Sequence, residues 1–554
     1  MLTIKRVIAT QLLLLSGLSA VAAAVQVHPV NPAESAGAPY AVAVDNTPVL
    51  LERVGEKPEW SVYYARYCGV DKAEVVVTVK GKGELSAEVE PKRLMENLRI
   101  EDRRVKFTAT GNGPCLVFIK SGDKELQRLF VIQEPEEENP PKPGDAGVFN
   151  VLDYGVTEEK KPQTEKFQNA LDACAKRPDG GVVYVPPGHY WTGTLHVRDN
   201  TYVYLAGGAV VQAYPDPEAF PLFPGNKEHG GNGMYHSFSR LLFFDHAENA
   251  GLIGRGTLDG SGKILRNKFQ RRTHVIEAHE SRDIEIGGVV ARNSASWSVH
   301  LVKSNGIHIN GLKVIADWGV WNSDGINPDS CRNVLVENVF CYTGDDSFAV
   351  KSTANSGLIQ SSYNITIRDS VAMTRKTALK VGTETIGDIS NVLYENIDLV
   401  RTSRAIGLWA RDGGRLSNII WRDIRGELVE VSGEGRSGQP FLITNQPRRG
   451  QCRIENVLIQ KIDLKTPWYS LIESEAQWPV TGVKFDQVKL TIKPRTMKKE
   501  KKYLFEFDGA EDIIIQNLVV DWSQADPAQW KGLWRDDAPV DATNIKQLES
   551  PFKQ

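Results

Sequence analysis

From about residue 280 onward, one short pattern of apolar and polar positions keeps returning. It reads apolar-x-apolar-x-x-apolar, usually opened by Asn, Asp or Gly. It appears as Asp283-Ile-Glu-Ile-Gly-Gly-Val, Gly306-Ile-His-Ile-Asn-Gly-Leu, Asn333-Val-Leu-Val-Glu-Asn-Val and Asn364-Ile-Thr-Ile-Arg-Asp-Ser. It continues from Asn391, Asn418, Asn456, Gly482 and Asp512, at intervals of roughly 23 to 38 residues. Alternation of period two buries one face of a strand, and the break after it marks a corner. Each unit is therefore strand, corner, strand and loop, with β-branched positions stacking inward and Asn suited to a left-handed corner. A leucine-rich repeat would fix Leu and add a helix per unit, and a propeller would need several antiparallel strands per unit. The pattern predicts an all-β chain whose main body is a right-handed parallel β-helix.

Ahead of the repeats, Thr164 to Lys176 reads as one amphipathic helix with Phe167, Ala170, Leu171 and Cys174 on one face. A helix at that place predicts a cap over the first coil, which otherwise exposes an apolar edge. Trp522, Trp530 and Trp534 predict a tail folded over the other end. Residues 26–135 carry short alternating runs such as Glu74-Val-Val-Val-Thr-Val and Leu129-Phe-Val-Ile, the pattern of a small β-sandwich. A proline-rich acidic stretch follows, beginning Glu134-Pro-Glu-Glu-Glu-Asn-Pro-Pro. The expected order is an N-terminal β-sandwich domain at 25–135, a linker at 136–147 and the β-helix at 148–554. Residues 1–24 read as a signal peptide: Lys5 and Arg6, an apolar run from Val7 to Leu18, then Ala20-Val21-Ala22. The expectation is export, to the periplasm or the medium.

Composition adds mainly exclusions. The chain has 554 residues, 41% hydrophobic and 24% charged, with a formal net charge of -3. That balance gives no electrostatic case for nucleic acid or an anionic membrane as partner. None of the six cysteines has zinc-ligand spacing, although Cys68 and Cys115 share one predicted domain and export permits a pair. No metal and no cofactor are expected.

Two segments of the β-helix carry chemistry: Asn322-Ser-Asp-Gly-Ile-Asn-Pro-Asp and Gly344-Asp-Asp-Ser-Phe-Ala-Val-Lys. Their spacing of about one coil places Asp324, Asp345 and Asp346 on adjacent rungs, roughly 4.8 Å apart. Three carboxylates so close cannot all ionise cheaply, so one is expected to be protonated near neutral pH. A proton-bearing and an ionised carboxyl are what glycosidic hydrolysis needs. Grouped carboxylates also suit a hard cation, the arrangement of a calcium-dependent lyase.

The Asn-Ser-Asp-Gly and Gly-Asp-Asp pair resembles the signature of polygalacturonase-type glycoside hydrolases, family 28. Asp153-Tyr-Gly, Val185-Pro-Pro-Gly-His-Tyr, Gly254-Arg-Gly-Thr-Leu-Asp-Gly and Ser296-Trp-Ser-Val-His support the likeness, which covers about residues 148 to 520. It implies a metal-free inverting hydrolase of α-linked polysaccharide, with Asp345 as general acid and Asp324 and Asp346 holding the water as bases. A pectin-like polyuronide is the implied substrate.

Two family motifs are altered. Thr377 stands where a His is expected, and the Arg-Ile-Lys that grips a galacturonate carboxylate is not intact near Ala405-Ile-Gly-Leu-Trp-Ala-Arg. The candidate substrate-binding residues are therefore Asn322, His300, Lys351, Thr377, Lys380, Arg404, Trp409 and Arg411. The dextranase and isopullulanase enzymes of the same clan share the sandwich-plus-helix plan, so a neutral α-glucan stays open. A lyase and a non-catalytic carbohydrate-binding β-helix stay open too.

Overall fold

A computed structural model of the chain describes residues 24–55, 60–222, 238–353, 359–496 and 500–552. The expected signal peptide, apart from Ala24, lies outside the described residues, as does most of the insertion from Pro215 to Phe238.

The repeats form two long parallel sheets, of 20 and 11 strands, which wind together into a right-handed parallel β-helix. The first runs from Val148–Asn150 to Val540–Leu548 and the second from Leu195–Val197 to Phe505–Asp508. The inward positions of both pack into one continuous column of Ile, Val and Leu. A fully buried side chain of this kind contributes roughly 1.5–3 kcal/mol. Asn333, Asn364, Asn391, Asn418 and Asn456 all sit at φ of 53–56°, the left-handed region. Their side chains form a ladder along the solenoid. Asn333 Nδ2 donates to Asn305 Oδ1 at 2.8 Å and Asn391 Nδ2 to Asn364 Oδ1 at 3.3 Å. Asn thus meets two needs: it tolerates the corner, and it bonds its counterpart on the next coil.

The cap helix spans Thr164–Ala175 with Phe167, Ala170, Leu171 and Cys174 buried. At the other end Trp522 and Trp530 pack edge to face, 5.7 Å apart, inside the same core.

Residues 26–133 form two mainly antiparallel sheets, of seven and five strands, around their own apolar core. This N-terminal part is bound to the side of the β-helix. Tyr64, Phe130 and Ile132 pack with Ile315, Phe340, Tyr342 and Met373. Buried ions cross the same seam. Arg292 pairs with Glu34 at 2.8 Å and with Asp259 at 2.7 Å, Arg66 donates to the carbonyl of Arg255 at 2.7 Å, and Lys313 meets Glu134. All six cysteines are buried free thiols, Cys68 and Cys115 included.

Candidate active site

The outward face of the 11-stranded sheet carries the site. Its middle strands are Val299–Val302, Ile326–Asp329, Phe348–Ser352, Thr377–Thr385 and Arg404–Asp412. Ile326 pairs with Phe348, Ala349 with Lys380 and Thr377 with Arg404. The turns entering the second and third of these strands hold the aspartates, and they touch: Gly325 N donates to Asp346 O at 2.9 Å. A Cβ at Gly325 would lie 2.3 Å from Ser347 O, so the Asp-Gly step is a packing requirement as well as a turn.

Asp346 is clamped. Its Oδ1 accepts the backbone N–H of Thr377 at 3.1 Å, and its Oδ2 accepts from Lys380 Nζ at 2.6 Å. Burial alone would raise its pKa, but Lys380 and then Lys351 outweigh it and hold Asp346 below the usual carboxylate range. Asp345 is partly exposed, and its Oδ1 accepts the N–H of Asp346 at 2.9 Å. Burial and the neighbouring Asp346 charge push its pKa up to about 6. Asp324 is raised well above the ordinary value by burial and then by Asp345, with Lys351 Nζ 3.9 Å away opposing the shift. Two of the three carboxyls are therefore pushed toward the protonated form and one toward the ionised form.

Of the candidate binding residues, Lys351, Lys380, Thr377, Arg404 and Trp409 gather around the aspartates. Lys380 Nζ sits 4.5 Å from the Trp409 ring centre, and Arg404 donates to Thr377 Oγ1 at 2.8 Å. Asn322 lies two residues ahead of Asp324 and accepts from Arg272 at 2.7 Å. His300 lies one coil earlier as a buried network residue, with Nε2 3.1 Å from Asp329 Oδ2 and Nδ1 3.5 Å from Glu277 Oε2. Burial lowers its pKa, yet Asp329 and Glu277 outweigh that and raise it. Arg411 is engaged farther along the face, its Nε donating to the Gln446 carbonyl at 3.3 Å.

The structure adds residues the sequence did not single out. Glu384 accepts from Lys351 at 3.0 Å. Burial would raise its pKa, but Lys351 and Lys380 bring it down to about 2. It stands four residues after Lys380 in the strand Thr377–Thr385, and only the winding of the coils sets it against Lys351. Glu277 binds Arg240 and His274, and only the coil register places it beside His300. Both amide atoms of Asn327, buried on the cleft strand, lack a hydrogen-bond partner among the described residues. His274, Glu277 and His300 bring donor atoms within 4.8 Å of one another, the spacing of a metal-binding group. Arg240 already pairs with Glu277 at 2.5 Å, however, so a cation there meets a resident positive charge.

Carboxyls pushed toward opposite protonation states on the face of a parallel β-helix form an arrangement suited to acid–base hydrolysis of a glycosidic bond. The comparisons agree. Residues 223–368, which contain all three aspartates, match the pattern described as glycosyl hydrolases family 28. A probable polygalacturonase from Vitis vinifera is 30% identical over 276 residues, covering 46% of this chain and 56% of the grape protein. An endo-polygalacturonase from Pectobacterium carotovorum subsp. carotovorum is 23% identical, covering 48% of this chain and 71% of its own length. The family 28 exopolygalacturonase of Yersinia enterocolitica superposes with a TM-score of 0.56 at 14% identity, covering 86% of this chain and 96% of that structure. Over the segment that carries the aspartates, the chain is thus similar to glycosyl hydrolases family 28 and to polygalacturonases of that family. The aligned stretch spans just over half the length of the grape relative.

Proposed function

We propose that this protein hydrolyses α-glycosidic bonds in a pectin-like polyuronide with inversion at the anomeric carbon. The observation that carries the reading is the split environment of the carboxyls, a lysine-clamped Asp346 beside an Asp345 whose pKa is pushed up to about 6. Asp345, the partly exposed member, serves as general acid and protonates the glycosidic oxygen as the bond to the anomeric carbon breaks. Asp346 and Asp324 hold a water on the opposite face of the sugar. Asp346, kept ionised by Lys380, takes its proton as the water attacks. Lys351, Thr377, Lys380, Arg404 and Trp409 line the cleft around the reacting bond, with Asn322 and His300 on its N-terminal side.

Residues 25–135 and 148–554 are read as an accessory β-sandwich and a catalytic domain. The basic, apolar and small-residue run of 1–24 supports export. Among the described residues no helix is long and apolar enough to cross a membrane.

A second reading, hydrolysis of a neutral α-glucan, is favoured by Thr377 and by the altered Arg-Ile-Lys region. The test is reducing-end release from polygalacturonate, rhamnogalacturonan and dextran without added metal, beside Asp345→Asn. Release from an acidic polymer, reduced roughly 10²–10⁴-fold in the variant, is expected. Release from dextran alone would favour the neutral glucan, and an unsaturated, ultraviolet-absorbing product would make the protein a lyase.

A further inference from the structure

Away from the aspartates, the solenoid carries a second group of metal-ligating side chains on its surface. It lies toward the N-terminal end of the 11-stranded sheet, where the strands Phe238–Asp245 and Arg272–His279 end. Each coil turns there on a carboxylate and an imidazole, Asp245-His246 on the first and His279-Glu280 on the next. The parallel register sets Asp245 beside His279, and the backbone N–H of His246 donates to the His279 carbonyl at 2.9 Å. Acid and base thus change places from one coil to the next, so each imidazole meets a carboxylate from both coils.

The distances make this a converging set. Asp245 Oδ1 lies 2.9 Å from His246 Nδ1 and 3.2 Å from His279 Nδ1. One donor atom from each of the three residues falls within 4.8 Å of the others. On the far side of the rings, Glu280 Oε2 is 3.1 Å from His246 Nε2, and Glu280 Oε1 is 3.8 Å from His279 Nε2. Asp245 pairs with no Lys or Arg among the described residues, whereas Glu277 in the buried His274 cluster already holds Arg240. A neutral imidazole has one N–H to give, so His246 cannot donate to Asp245 and Glu280 at once. A cation on Nδ1 leaves that proton on Nε2, facing Glu280, and supplies Asp245 with positive charge.

We infer that Asp245, His246 and His279 form a site for a transition-metal dication such as Zn²⁺, with Glu280 orienting the two rings from behind. Two imidazoles and a carboxylate suit zinc better than Ca²⁺ or Mg²⁺, which take mainly oxygen ligands. Tetrahedral zinc with bonds of ~2.0–2.2 Å spaces its ligands by roughly 3.3–3.6 Å, so a slight spreading of the three donors admits it. The His246 side chain is largely exposed, so the site opens to solvent and the fourth position falls to water. Bound there, the ion ties two successive coils together at their corner. Along the sheet His279 stands opposite Val302, Val302 opposite Asp329, and Asp329 opposite Lys351. Three such steps put the ion roughly 15 Å from the cleft lysine, outside the proposed acid–base step. Zinc binding at this corner is independent of which polymer the aspartates cleave.

The experiment uses the full-length, untagged protein, freed of metal by dialysis against a chelator and titrated with Zn²⁺, Ca²⁺ and Mg²⁺ by calorimetry. The expected result is one zinc per chain, a higher melting temperature with zinc, and no comparable binding of Ca²⁺ or Mg²⁺. His246→Gln, His279→Gln and Asp245→Asn are each expected to weaken zinc about tenfold or more, and Glu280→Gln about tenfold with the stoichiometry kept. His308→Gln, which alters a single imidazole–carboxylate pair on the 20-stranded sheet, is expected to change the affinity less than twofold. Melting temperatures of the metal-free variants near that of the parent verify that they fold. If zinc does not bind, or binds as well to the His246 and His279 variants, the four residues are a ladder of ion pairs and the site is overturned. Loss of zinc through His274→Gln in place of His246→Gln overturns it equally, by placing the ion in the buried cluster.

Discussion

At the residue scale, function comes down to how one strand partner changes a carboxyl. Asp345 and Asp346 are neighbours in the chain, yet Lys380 reaches the second and not the first. The consequence for pH follows directly. In the proposed hydrolysis Asp345 must carry its proton to act as acid, and it loses that proton as pH rises through about 6. Asp346, held low, stays ionised across the same range. The value of kcat/KM is therefore expected to be highest on the acid side and to fall about tenfold per pH unit well above 6. Lys380→Met removes the clamp, so Asp346 binds protons more readily. A pH–rate profile should show the acid limb moved to higher pH and kcat lowered at least tenfold. The motifs made the three aspartates legible in the sequence, because Asp-Gly and Gly-Asp-Asp interrupt apolar strands at one-coil spacing. Glu384 and Glu277 escaped because each is an ordinary polar position until the register sets it against Lys351 or His300.

At the element scale, the corner and the strand have separate requirements, and both were readable. The apolar-x-apolar alternation located the coils, and the Asn at their head located the left-handed corners, such as Asn391 at φ 54°. Asn391→Ala removes a rung of the ladder and puts a Cβ residue without a polar side chain in the left-handed region. It is expected to cost about 1–2 kcal/mol by chemical denaturation, and Asn391→Gly clearly less. Gly325 lies under a tighter constraint. Gly325→Ala forces a Cβ toward Ser347 O, so the Asp324 and Asp346 turns must move apart. The expected result is a loss of kcat of about 10²-fold, larger than any change in melting temperature would account for. The altered family motif near Arg404 was also visible in sequence.

At the scale of the whole molecule, the sandwich and the solenoid are joined by buried charge as well as by apolar packing. Arg292 is enclosed by Glu34, Asp259 and the Tyr64 hydroxyl, with ligands from both parts of the chain. Arg292→Met leaves Glu34 and Asp259 without their cation and is expected to cost roughly 3–5 kcal/mol in thermal or denaturant unfolding. The same seam was invisible in the sequence. Nothing in the pattern around Arg66, Glu134 and Arg292 marks them as buried, and it is the docking of Tyr64 and Phe130 against the flank of the solenoid that encloses them. The sandwich is thereby fixed to the side of the β-helix, while the three aspartates stay at the 11-stranded sheet.

The proposed hydrolysis turns on one step: Asp345 donates a proton while a water held by Asp346 and Asp324 attacks from the opposite face. Proton NMR of the first products released from polygalacturonate tests it most directly, read before mutarotation mixes the anomers. Inversion predicts the β-anomer first from an α-linked substrate, with its release slowed roughly 10²–10⁴-fold by Asp345→Asn. The α-anomer appearing first, or an unsaturated product in its place, would contradict it.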